Sequence, residues 1–140
     1  MARSRAYTFK EPTSEEQLAA MRASVRETAR NEPGVYRMIA DNGEIVYVGK
    51  SKQIRSRLMS YFRAAYPDDK GARIVREATR VEWDYEPSEF AALLRELRLI
   101  KQYRPRFNVA MKRDARHYSF IKISRGAAAR PRPRSMALAP

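Results

Sequence analysis

Apolar positions along the chain recur with two different periods. Over residues 14 to 29, SEEQLAAMRASVRETA brings Leu18, Met21 and Val25 to one side, and Ser14 with Gln17 has the spacing of a capping box. This pattern predicts a helix short of large apolar residues, packed at the edge of a domain. After NEPG, the runs VYRMIA and EIVYVG flank Asp41-Asn42-Gly43. Two β-rich runs around an Asn-Gly turn predict a hairpin, with strands at about 34–39 and 44–48.

The period then returns to that of a helix. Ser51 is placed to cap a helix at about 52–62, with Ile54, Leu58, Tyr61 and Phe62 on its packing side. AAYPDDK reads as a loop, GARIVREAT as a short helix, and RVEWDYE as a third strand with Val81 and Trp83 on one face. From Ser88, the residues Phe90, Leu93, Leu94, Leu97 and Ile100 form a stripe that predicts a long helix covering the sheet, ended by Pro105 near Tyr103. HYSFIKI, at 117–123, reads as a short extended segment. Beyond Ser124, proline is too frequent and periodicity too weak for a packed element, which predicts a flexible basic tail.

Charge changes the picture next. The 140 residues carry a formal net charge of +13, of which residues 34–123, with nineteen basic and eleven acidic groups, hold +8 and residues 124–140 hold +4. A field of that sign attracts polyanions in a salt-dependent way and puts nucleic acid first among partners. A basic surface kept for solubility, or a ribosomal or membrane-surface role, is the competing account. There is no cysteine, which removes disulfides, thiol nucleophiles and thiolate metal sites, and the single histidine, His117, cannot build a histidine-rich zinc site. Any metal must then be a hard ion held by carboxylate and water, with Mg²⁺ or Mn²⁺ the natural candidates. No apolar run of about 20 residues or leader-like stretch is present, so the chain reads as cytoplasmic with no membrane partner.

The chemistry-bearing residues gather around the hairpin. Gly49 permits close approach just after the second strand, and Lys50 adds an ammonium beside it. Tyr36 and Tyr47 lie in the two strands, while Arg57 and Tyr61 form an i,i+4 pair on the next helix. Tyrosine rings are ordinarily packing residues, and arginines on a helix ordinarily face solvent. Glu96 lies at about 240° from Phe90 around the long helix, with Ile100 at about 280° and Leu97 at about 340°, which predicts a position on the rim of the buried face.

Gly34-Val35-Tyr36, ten intervening residues, Tyr47-Val48-Gly49, Arg57 on the next helix and Glu96 on the later one resemble the GIY-YIG nuclease pattern. PGVYRM, YVGKSKQIRSRLMSYF and LIKQYRPRFNV are similar to the amino-terminal nuclease domain of the excinuclease subunit UvrC, over roughly Pro33 to Ile123. The resemblance implies a small α/β (α+β) domain at 33–123 with a central three-stranded antiparallel sheet flanked by helices; the arm and accessory helix at 1–32 are extra to the family pattern. It implies hydrolysis of a DNA phosphodiester with one Mg²⁺ or Mn²⁺ ion per site. Glu96 takes the place of the metal-binding carboxylate, Arg57 that of the arginine beside the scissile phosphate, and Tyr36 and Tyr47 those of the strand tyrosines. Lys50, Tyr61 and Asn108 take the places of the lysine after the second motif, the helix tyrosine and the asparagine after the long helix.

The resemblance has gaps. The UvrC regions for its partner, its second nuclease domain and its helix-hairpin-helix elements find no counterpart, and MKRDARHYSF, with Arg116 where a lysine is expected, departs from the family's lysine-rich loop.

The expected function is a divalent-metal-dependent endonuclease that nicks DNA in repair or processing, acting at the nucleoid. Tyr47 is the first choice to activate water and Tyr36 the second. Lys52, Arg55, Arg63, Arg104, Arg106 and Asn108 are the expected DNA contacts, positioning the duplex through its backbone rather than reading bases. A catalytically silent nucleic-acid-binding module with the same fold is the alternative. A third account, compatible with activity, has the first helix or the tail docking onto a repair or replication protein.

Overall fold

The computed structural model describes residues 11–109. The start of the arm, the region of Arg116 and His117, the 117–123 segment and the 124–140 tail lie outside the described residues. Within them the order is α1 (Glu15–Thr28), β1 (Gly34–Ile39), β2 (Ile45–Ser51), α2 (Ile54–Arg63), α3 (Lys70–Val75), β3 (Arg80–Tyr85) and α4 (Glu89–Tyr103). The strands form one sheet in the order β2-β1-β3, with both pairings antiparallel. This is the small three-stranded α/β domain expected from the sequence.

β1 is central because it is apolar on both faces. Five of its six residues are buried, and the sixth, Arg37, is tied to Asp84 of β3 at 2.7 Å. The hairpin turn is set by local chemistry: Ala40 N–H donates to Glu44, Glu44 N–H donates to the Asn42 side chain, and Gly43 adopts φ 87°, which a side chain would resist. β2 runs past the predicted end, so Gly49 and Lys50 lie inside the strand and not after it.

α1 has the predicted capping box between Ser14 and Gln17, and it buries Met21 and Val25, with Ala29 just beyond. α2 starts differently from expectation. Its N-cap is Gln53, which makes no side-chain cap, and the Ser51 hydroxyl only accepts from Gln53 N–H. The open N–H groups of the first turn are taken instead by the chain between α1 and β1. Ile54 donates to the Glu32 carbonyl, Arg55 to the Arg30 carbonyl, and Ser56 to the Asn31 side chain at 2.8 Å. A cap supplied from more than 20 residues away leaves no signature beside the helix.

α4 packs on β2 and β1, as its stripe predicts, but it is rotated. Ala92 is its buried residue, while Phe90, Leu94 and Leu97 are 67%, 45% and 54% exposed. The sheet-facing arc is centred near Ala92, with Glu96 about 40° and Ile100 about 80° around from it. The small Ala92 lets the helix approach the sheet closely on that side. Glu96 thus lies half-buried within that arc.

Candidate active site

The strand register sets two tyrosines on one face. Tyr36 is opposite Gly49 and Met38 is opposite Tyr47, so the two phenol rings project to the same side, with centroids 6.3 Å apart. The buried side of α2 brings Tyr61 against Tyr36, the rings meeting edge to face at 5.8 Å and the hydroxyls lying 2.6 Å apart. Arg57, one turn earlier, donates its Nε–H to the Tyr36 oxygen at 3.2 Å, and its guanidinium lies 5.4 Å from the centre of the Tyr61 ring.

Gly49 makes this arrangement possible. A Cβ at that position would lie 2.4 Å from both the Cζ and the hydroxyl of Tyr36. The strand glycine is therefore the floor on which the Tyr36 phenol rests.

Burial dominates the electrostatics of the phenols. It pushes Tyr47 up to about 12, with the negative fields of Tyr36 and Glu96 adding to the rise and Arg57 opposing it. Burial, aided by the other two phenols, also drives Tyr61 upward. Arg57 is held firmly protonated, first by its hydrogen bond to Tyr36. The Glu96 carboxyl is raised by burial, an effect that Lys50 partly offsets through its positive charge.

Glu96 makes no hydrogen bond or ion pair with another of the described residues. Most of the other acids near the sheet are engaged: Asp84 with Arg37 and Arg95, Glu86 with Arg95, and Glu82 with Arg80. A half-buried carboxylate with no hydrogen-bond or ion-pair partner among the described residues suits, when ionised, a hard divalent cation. Among the described residues no three His, Asp or Glu side chains cluster to hold a metal, so Glu96 would be a single protein ligand, with water and substrate oxygens completing the shell.

The structure thus brings together Tyr36, Tyr47, Arg57 and Tyr61 directly, and Glu96 and Lys50 through their fields on this group. The expected DNA contacts divide. Lys52, Arg63 and Arg104 are exposed, and Arg104 closes α4 in a left-handed conformation at φ 44°. Arg55 donates to the Arg26 carbonyl, Arg106 is ion-paired with Glu44 and Glu77, and the Asn108 amide is engaged by the backbone of Val48. Trp83, opposite Tyr36 on the other side of β1, flanks the cluster without having been singled out for it. Only the β1–β3 register puts it there, and no local pattern encodes that register.

The UvrC-like GIY-YIG domain model matches residues 32–109. The chain belongs to this family. Among solved structures, it is similar to the GIY-YIG N-terminal endonuclease domain of UvrC from Thermotoga maritima, bound to its catalytic divalent cation, magnesium. That likeness has 36% identity and a TM-score of 0.52, and it covers 60% of this chain and 94% of the other. Two point mutants of the same domain, each bound to its catalytic divalent cation, are also similar. An asparagine-to-alanine form has 35% identity and a TM-score of 0.53, covering 60% of this chain and 93% of that one. A tyrosine-to-phenylalanine form has 34% identity and a TM-score of 0.54, covering 60% and 94%. In GIY-YIG terms, Gly34-Val35-Tyr36 and Tyr47-Val48-Gly49 are the paired strands of the fold, and α1 precedes the matched segment.

Proposed function

We propose that this protein is a divalent-metal-dependent endonuclease that hydrolyses DNA phosphodiester bonds, producing nicks during repair or processing. The observation that carries the reading is the meeting of three buried tyrosines and Arg57 with a half-buried carboxylate that has no ion-pair partner among the described residues. Membership of a nuclease family and the cation-bound relatives support it.

Hydrolysis forms a bond from a water oxygen to phosphorus and breaks the bond to a sugar oxygen, which leaves with a proton. It needs a base for the water and donors for the charge that grows on the nonbridging oxygens. Arg57 supplies the donors. Its Nε–H is fixed on Tyr36, which leaves the terminal NH₂ groups to meet phosphate. Mg²⁺ or Mn²⁺ on Glu96 would place positive charge beside a phosphate oxygen and cancel the carboxylate's field at Tyr47.

Tyr47 is the phenol assigned to the water proton; burial holds it protonated in the metal-free protein, so this role requires a bound cation to favour its phenolate. Tyr36 and Tyr61 are already bonded to one another, and Tyr36 also accepts from Arg57, so these two hold the guanidinium in place. Lys50 steadies the negative charge of Glu96. Lys52, Arg63 and Arg104 supply exposed positive charge to the DNA backbone, whereas Arg106 and Asn108 hold the fold.

The deciding experiment is incubation with labelled single-stranded, duplex, nicked and branched DNA in Mg²⁺ or Mn²⁺, with EDTA as control. Cation-dependent cleavage of at least one form is expected. Binding without cleavage of any form would replace this reading with that of a silent DNA-binding module.

A further inference from the structure

Helix α1 lies before the segment that defines the family, yet it is fixed to the catalytic helix. Its Met21 and Val25 are buried, and Arg55 of α2 donates to the Arg26 carbonyl at 3.3 Å. Arg22 and Arg26 stand one turn apart, about 40° from each other around the helix, and both are exposed. Neither side chain has an ion-pair or hydrogen-bond partner among the described residues. Arg30, Arg37, Arg76, Arg80, Arg95 and Arg106, by contrast, each meet a carboxylate.

The space beside Arg22 is shaped. A cavity of about 300 Å³ opens between α1, α2 and α3, with Arg22, Tyr61, Phe62 and Tyr66 among its walls. Glu15, the acid on that wall, is neutralised by Arg76. Tyr61 closes the cavity on one side, while its hydroxyl joins Tyr36 on the other. The cavity and the active site are therefore neighbours that share one side chain.

We infer that α1 extends the DNA-binding surface: the strand that leaves the scissile bond at Arg57 crosses α2, and its phosphates dock on Arg22 and Arg26. Planar guanidinium forks free of carboxylates suit phosphate oxygens, and their attachment to a buried helix fixes the spacing of the contacts. The inference rests on the DNA part of the proposed function and not on the cleavage chemistry.

The test is equilibrium binding of the full chain to a short duplex in EDTA over a salt series. Each phosphate contact contributes about 0.9 to the slope of log affinity against log salt. Arg22→Ala/Arg26→Ala should flatten the slope by about 1.8 and weaken binding about tenfold or more near 100 mM salt. Arg22→Lys/Arg26→Lys should recover most of the slope. Arg30→Gln/Arg80→Gln, which removes the same charge from ion-paired positions, should change it far less.

An unchanged slope in the alanine pair, or an equal change in the Arg30/Arg80 control, would overturn the inference. The first outcome would leave the α1 arginines to a partner of another kind, such as an acidic protein segment. A parent that binds with the full slope but never cuts would instead defeat the nuclease reading and leave this one standing.

Discussion

Asn108 and Val48 pair as two strands would. The Val48 N–H donates to the Asn108 side-chain carbonyl at 2.8 Å, and the Asn108 amide donates back to the Val48 carbonyl at 2.9 Å. One side chain thereby closes the outer edge of β2 beside Tyr47. Asn108→Ala leaves both backbone groups without that partner and should lower stability by about 1–2 kcal/mol in urea unfolding. Duplex affinity in EDTA should stay at the parent value. A large loss of affinity with unchanged stability would return Asn108 to the DNA surface.

Gly49→Ala tests the floor under Tyr36. The added methyl would lie inside the contact distance of the phenol, so either the ring or β2 must shift. Overpacking of this kind costs about 1–3 kcal/mol. Cleavage should fall further than that loss of stability explains, because the Arg57–Tyr36 hydrogen bond depends on the same ring. Parent activity in a folded Gly49→Ala protein would show that the ring's position does not matter.

Arg57→Ala removes donors aimed at developing charge and should reduce cleavage about 10²- to 10³-fold at saturating metal. The fold should survive, since Tyr36 keeps Tyr61 as a partner. Arg57→Lys keeps the charge and loses the fork, so it should recover little. Single-turnover rates across a metal titration decide the matter: full rescue by added Mg²⁺ would contradict the assignment.

Glu96 should cost the metal-free protein stability. Burial raises its carboxyl, so the folded state holds the proton more tightly than the unfolded chain does. That contribution is complete below the unfolded pKa and is lost as pH rises through the folded one. Melting temperatures without metal should therefore match between parent and Glu96→Gln in acid, and favour Glu96→Gln near neutral pH. Adding Mg²⁺ or Mn²⁺ should raise the parent's melting temperature and leave Glu96→Gln unmoved, with cleavage lost in the variant. An equal metal shift in both proteins would place the cation elsewhere.

Much of this was legible in the chain because it is local. The hairpin is written in Asp41-Asn42-Gly43, the first helix in Ser14 and Gln17, and the approach of Tyr61 to Arg57 in their spacing on α2. What stayed hidden depends on partners distant in sequence. Gln53 rather than Ser51 begins α2 because residues 30–32 lie across its first turn. The orientation of α4 departs from its apolar stripe for a related reason. Periodicity counts apolar residues but cannot register that the sheet-facing arc holds a carboxylate, which leaves Phe90, Leu94 and Leu97 exposed. That conflict between the apolar stripe and the buried arc falls at the candidate metal ligand, where local rules are expected to give way to function.

The start of α2 bears on where this protein can be cut. A piece beginning at Pro33 would retain Tyr36, Tyr47, Arg57, Tyr61 and Glu96 of the candidate catalytic cluster. It would lack the Arg30 and Glu32 carbonyls and the Asn31 side chain on which the first turn of the arginine-bearing helix closes. The shortest segment that contains the chemistry is therefore shorter than the shortest one that can hold Arg57 still.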